Sequence, residues 1–146
     1  MLLYRAAVRI DAPPERVWVW LSDWSRSSRW IMGTTVDVVG DRSEGAGTRT
    51  RAVTRIAGIK LVDEMTVTRW DPPWLITVHH HRKPLLGDAW FEIVPVGGAS
   101  SVEWVEDLEL PFGALGELAG AVLRAPVEWS LRRSLRKLKR LVEASP

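Results

Sequence analysis

Cysteine is absent from the 146 residues, which excludes a disulfide scaffold, a thiolate nucleophile, a Cys-ligated zinc and an iron–sulfur cluster within this sequence. Long apolar runs are absent as well. Met1-Leu2-Leu3-Tyr4 is interrupted by Arg5, Arg9 and Asp11, too early for the apolar region of a secretory signal, and the most apolar later stretch is broken by Glu117 and Arg124. The expectation is a cytoplasmic protein without a membrane span. There is little excess charge of either sign: 20 Lys+Arg against 18 Asp+Glu leave +2, a weak argument for a polyanionic partner. Gly45-Ala46-Gly47 and Gly97-Gly98 lack the Lys-Ser/Thr of a phosphate loop and fall between strand patterns, so they read as hairpin turns. No internal repeat, linker or low-complexity segment appears. With 46% hydrophobic and 26% charged residues, residues 1–146 are expected to form one globular domain around one core.

Leu3 to Ile10 alternates, placing Tyr4, Ala6, Val8 and Ile10 on one face, the period of a half-buried strand. Pro14 suits a first helical position, Glu15 favours the positive end of a helix dipole, and Val17, Trp18, Trp20 and Leu21 follow at helical spacing. Ser22-Asp23 stops this helix and caps a second short one carrying Trp24, before Gly33 breaks the pattern. From Thr34 to Pro111 turn signals at Gly40-Asp41-Arg42, Gly58, Asp71-Pro72-Pro73, Lys83-Pro84 and Gly97-Gly98 separate six strands. Gly113 to Ala144 is expected to be one long helix, kinked at Pro126, with Leu115, Leu118, Ala119, Val122, Leu131, Leu135, Leu138 and Leu141 or Val142 along its apolar side. Its Gly- and Ala-rich first half lets a backbone lie close to a sheet, and its second half is crowded with Arg132, Arg133, Arg136, Lys137, Lys139 and Arg140. No exposed apolar stripe that would mark a protein-interaction surface is expected.

Two strand faces carry a single acid each. Asp63 shares a face with Ile59, Leu61, Met65 and Val67, and Glu106 shares one with Val102, Trp104, Leu108 and Leu110. An acid so placed either meets a partner or has its pKa raised by desolvation, and both occur at active sites. The plainer alternatives are a bulge that turns the acid outward or an ion pair serving structure alone.

The order strand, two short helices, six antiparallel strands, long helix resembles the START-like helix-grip superfamily, in its polyketide cyclase/dehydrase branch. The residues that carry the resemblance run from Val8-Arg9-Ile10-Asp11-Ala12-Pro13-Pro14-Glu15-Arg16-Val17-Trp18 through Leu21-Ser22-Asp23 with Trp30. They continue in Phe91-Glu92-Ile93-Val94-Pro95 with Gly97-Gly98 and in Leu135-x-x-Leu138-Lys139. The resemblance implies an α+β fold: a curved seven-stranded antiparallel sheet wrapped around the C-terminal helix, two short helices after strand one, and a hydrophobic cavity between sheet and helix. These are structural marks with no catalytic signature, and fold does not settle function.

Two functions therefore stand. The first is binding of a hydrophobic small molecule, of lipid or polycyclic polyketide type, with Asp63, His80 and Glu106 orienting its polar groups. The alternative is a cyclase or aromatase-like enzyme in which the same residues act as acid and base, since ring closure needs one group to take a proton beside a carbonyl and another to hold the oxyanion. The cavity is expected to be lined by Met65, His80, Phe91, Trp104 and the Leu118–Val122 side of the last helix, with room for roughly 300 Å³ or more of ligand. Trp30 and Trp104 are candidates to stack on a flat ligand, while Trp18 and Trp129 read as structural. Of His79, His80 and His81, alternation puts His79 and His81 on one face and His80 on the other with Ile76 and Val78. A cavity histidine is thus the reading for His80, solvated strand-end residues for the other two, and no metal or other cofactor is expected. The basic helix lacks aromatic interleaving and is taken as a solvated face, not a nucleic-acid surface. Oligomeric state is not readable from the residues.

Overall fold

In the computed structural model, which describes residues 2–146, seven strands are laid down antiparallel in one sheet. They are β1 (Leu2–Ile10), β2 (Thr34–Val39), β3 (Arg49–Ile56), β4 (Ile59–Asp71), β5 (Leu75–Arg82), β6 (Leu85–Val96) and β7 (Ala99–Glu109). Their order across the sheet is β1-β7-β6-β5-β4-β3-β2, leaving β1 and β2 as the edges. Helix α1 (Pro14–Ser22) and a 3₁₀ turn at Trp24–Arg29 follow β1. Asp23 caps the turn, its carboxylate accepting from Ser25 N at 3.1 Å. The chain ends in α2 (Gly113–Val122) and α3 (Arg124–Ala144).

The C-terminal segment is therefore two helices, not one. Proline has no N–H to offer and its ring crowds the carbonyl four residues back, here that of Val122. The helix yields at Leu123, and Pro126 sits in the first turn of α3 where a missing N–H costs nothing. The two pieces also present different faces. In α3 the apolar side expected from the spacing is the buried one, with Leu131, Leu135, Leu138 and Val142 in the core. In α2 the buried residues are Gly116 and Gly120, and Leu115, Leu118 and Val122 point to solvent with Phe112. Two expectations are corrected here: Leu118 and Val122 do not line the cavity, and an exposed apolar stripe is present. The reason is backbone approach. A Cβ on Gly120 would lie 2.0 Å from Leu2 Cδ1, and one on Gly116 would lie 1.9 Å from the Pro111 carbonyl oxygen. The glycine face alone can come this close to β1, at Gly120, and to the chain leaving β7, at Gly116, so the leucines turn outward.

Helix α3 runs along the β1 edge, and its side chains bond several backbone groups there and at Asp11 just beyond it. Glu128 Oε2 accepts from Arg5 N at 2.9 Å and Glu143 Oε2 from Asp11 N at 2.6 Å. Lys139 Nζ donates to the Arg9 carbonyl at 3.0 Å, and Arg124 donates to that of Leu3. These caps blunt the edge against pairing with another strand. Arg16 on α1 locks the far end of α3, donating to the carbonyls of Val142 at 2.8 Å and Ser145 at 2.6 Å. One irregularity shapes the sheet: between Val67 and Arg69 the β4–β5 register slips by a residue. This bulge lets both Val67 and Trp70 face inward, where Trp70 meets Trp18 edge-on with centroids 5.2 Å apart.

Candidate functional site

Between the sheet, the 3₁₀ turn and α3 lies a cavity of about 410 Å³. Met65, Ile76, Val78 and Phe91 line it from the sheet, Trp24 and Trp30 from the turn, and Leu123, Val127 and Leu131 from the break in the C-terminal helices and α3. Its walls are mostly apolar, with hydroxyls of Ser27, Thr34, Thr54, Ser130 and Ser134 among them, and its ionisable acids and histidine are gathered at one place.

That place is where Asp63, His80 and Glu106 meet. Each comes from a different strand, β4, β5 and β7, and each faces inward because of the parity read from the sequence. The imidazole of His80 lies between the two acids. Its Nδ1 is 2.9 and 2.8 Å from the Asp63 carboxylate oxygens, and its Nε2 is 2.9 Å from Glu106 Oε2. The second oxygen of Glu106 accepts from the indole N–H of Trp104 at 3.0 Å. Burial disfavours the imidazolium, yet the hydrogen bonds to Asp63 and Glu106 and the charges of the two carboxylates outweigh it, raising the His80 pKa from 6.5 to about 10. At neutral pH His80 is a cation donating from both nitrogens. The three side chains are 4 to 15% exposed, so the cluster is largely closed off from water.

The bridge from β5 to β7 passes over β6, and small residues make room for it. Gly87 stands opposite His80 and Ala89 opposite Glu106. Gly87 is at φ +130, and a Cβ there would sit 2.1 Å from the Asp107 carbonyl oxygen, so no other residue fits without moving β7.

Above this cluster Trp30, Phe91 and Trp104 form an aromatic patch. Trp30 packs edge-on to the other two at centroid distances of 5.7 and 5.8 Å, and Phe91 and Trp104 are 4.9 Å apart. The indole N–H groups of Trp24 and Trp30 are buried without a hydrogen-bond partner, although both residues border the cavity. The orphaned donor of Trp24 was not legible, because nothing in the sequence tells a satisfied indole from an unsatisfied one. The Trp104–Glu106 bond was in reach, since residues two apart on a strand share a face.

Of the residues singled out from the sequence, Trp30, Asp63, Met65, His80, Phe91, Trp104 and Glu106 all border the cavity, and Leu118 and Val122 do not. His79 and His81 lie on the outer face. There His79 Nδ1 is 2.9 Å from Asp88 Oδ1 and His81 Nε2 is 3.2 Å from Thr66 Oγ1. Trp129 is half exposed with Arg133 over its ring. No helix among the described residues is long and apolar enough to cross a membrane.

A sheet closed on a C-terminal helix around an apolar space, with short helices after the first strand, is the helix-grip arrangement. The family model described as polyketide cyclase / dehydrase and lipid transport matches residues 1–143, and the chain belongs to that family. Among solved structures, a protein from Thermus thermophilus superposes with a TM-score of 0.82 at 23% identity, covering 97% of each chain. An aromatase/cyclase from Streptomyces sp. R1128 superposes at 0.78 with 18% identity, covering 97% of this chain and 93% of its own. The Aha1 dimer from Colwellia psychrerythraea superposes at 0.67 with 18% identity, covering 99% and 98%. At these identities the likeness is one of fold. No curated protein matches the sequence significantly.

Proposed function

We propose that the protein binds a hydrophobic small molecule, of lipid or polycyclic type, in the cavity between the sheet and α3. The observation that carries this reading is a mostly apolar cavity of about 410 Å³ with a hydrogen-bonded Asp63–His80–Glu106 cluster fixed in its wall, the composition of a site that encloses a ligand and orients it. Two further features support it. The aromatic patch of Trp30, Phe91 and Trp104 offers faces and edges to a flat ring system. The unpartnered indole donors of Trp24 and Trp30 each carry a desolvation cost of about 1–3 kcal/mol that a ligand acceptor would offset. The test is tryptophan emission during titration with a polycyclic phenol and with a fatty acid. Saturable quenching is expected in the natural protein and its loss in Ala89→Leu, which adds bulk to the cavity wall. Unchanged emission and unchanged melting temperature at high micromolar ligand would sink the proposal.

A second reading, catalysis of ring closure or dehydration on a polyketide-type substrate, is favoured by one observation: a buried imidazolium held between two carboxylates. Such a group can donate a proton to a developing oxyanion and recover it through the carboxylate it touches. Product formation from a linear poly-β-ketone that disappears in His80→Gln while ligand quenching persists is the outcome expected of an enzyme. Quenching without turnover leaves the binding reading.

A further inference from the structure

Beside the main cavity, on the far side of the segment joining the 3₁₀ turn to β2, lies a cleft of about 370 Å³. Arg133, Lys137 and Arg140 line it from α3 and Ser28 from the turn, with no carboxylate among its lining residues. The three cations are spaced four and three residues apart and so share one face of the helix. None of them has an ion pair among the described residues, whereas Lys139 on the neighbouring face is paired with Glu143 at 2.6 Å. Like charges at such spacing disfavour the helix by a few tenths of a kcal/mol per pair. A solvated face does not require them to converge on a concave space, and this one does.

The cleft and the cavity have a common wall. Trp30, Ile31, Met32 and Ser134 border both. At that wall Met32 N donates to Ser134 Oγ at 3.0 Å, the polar link tying the segment to α3. The two spaces differ in their groups: in the cavity both nitrogens of His80 are already taken up by Asp63 and Glu106, whereas the cleft presents three basic side chains and no acid among its lining residues. An anionic head is drawn to the cleft, where the cations are free of ion pairs among the described residues.

Resting on the binding reading above, we propose that the ligand is an anionic amphiphile whose apolar body fills the cavity. Its carboxylate or phosphate head is held at Arg133, Lys137 and Arg140, and the Met32–Ser134 contact parts to let the two ends join.

The experiment compares decanol, decanoate and decyl phosphate with inorganic phosphate by calorimetry. The protein is used as it is and as the surface variant Lys137→Gln/Arg140→Gln, whose two positions are exposed. Decanoate and decyl phosphate are expected to bind about tenfold tighter than decanol, equivalent to about 1.4 kcal/mol. The variant is expected to abolish that difference without changing decanol affinity, and about 0.5 M salt to reduce it. Which head is preferred separates carboxylate from phosphate ligands. Equal binding of decanol and decanoate overturns the anion site while leaving the cavity reading intact, and binding of none of the three chains overturns both. Inorganic phosphate binding as well as decyl phosphate overturns the amphiphile. So does binding to anionic phosphatidylserine vesicles that needs Lys137 and Arg140 while the free acid gains nothing over the alcohol.

Discussion

His80 Nε2 and Glu106 Oε2 are 2.9 Å apart although their strands, β5 and β7, are not neighbours. The imidazole reaches over β6 because Gly87 and Ala89 leave the intervening surface nearly bare. On its other side the ring meets Asp63 of the adjacent β4, so one side chain ties together three of the seven strands, β4, β5 and β7. The pairing removes the alternative in which an unpartnered acid faces the cavity.

The first prediction concerns alkaline stability. His80 has its folded-state pKa raised from 6.5 to about 10, so its contribution is fully present below pH 6.5 and is lost as pH climbs toward and through about 10. The groups facing the ring are Asp63 and Glu106, both carboxylates, and the Trp104 indole, which does not titrate here. Tyr4 adds a separate contribution: burial raises its pKa above 10.0, so it costs stability only beyond the pH at which the unfolded tyrosine ionises. Denaturant melts between about pH 6.5 and 9.5 should show stability falling in the natural protein and a flatter profile in His80→Gln. Identical slopes in the two proteins would remove His80 as the cause.

Removing either acid should destabilise the fold. Asp63→Asn or Glu106→Gln replaces one partner of a buried charged cluster and leaves the imidazolium with less compensation, a loss of about 3–5 kcal/mol. An acid that was buried and unpaired would behave oppositely, since its amide would stabilise at neutral pH. The sign of the change in urea midpoint decides between the two.

Gly120→Ala tests the close approach of α2 to β1. Alanine raises helix propensity by about 1 kcal/mol, but its Cβ would meet Leu2 Cδ1 at 2.0 Å and Tyr4 OH at 2.9 Å. It would also disturb the bond from the Tyr4 hydroxyl to the Gly120 carbonyl at 2.7 Å. Overpacking of this kind costs about 1–3 kcal/mol, and with the hydrogen bond weakened the net effect should be destabilising. A higher melting temperature for Gly120→Ala would show that α2 is free to lift away.

Much of this site was legible because strand parity is unforgiving: a period of two places Asp63, His80 and Glu106 inward regardless of how the strands are ordered. That His80 would join the two acids was not legible, because a sequence does not say which strands lie two apart or that β6 is small at 87 and 89. The tail shows the converse limit. Leucines at three- and four-residue steps mark an apolar stripe, but which stripe is buried depends on what the helix can approach. In α2 the approach of Pro111 selects Gly116 and that of β1 selects Gly120. The basic face of α3 shows the same limit: spacing aligns Arg133, Lys137 and Arg140, and only the fold makes them line a cleft.

That difference can be measured within a single residue type. Leu115 and Leu118 in α2 are 72% and 62% exposed, whereas Leu135 and Leu138 in α3 are fully buried, although all four fit one helical pattern. Truncating Leu135 to Ala removes core contacts and leaves a cavity, a loss of about 2–5 kcal/mol. The Leu118→Ala change removes a side chain that is mostly in water already, so its effect should stay within about 0.5 kcal/mol. Leu118→Lys should be equally mild, because a lysine at an exposed helical position needs no desolvation and is nearly as good a helix former. Equilibrium urea unfolding of the three variants is expected to place Leu135→Ala far below the others. A loss of more than about 2 kcal/mol in Leu118→Lys, well beyond the range of ordinary surface changes, would mean that the apolar face of α2 is covered in solution, and that Gly116 and Gly120 are not its only packed side.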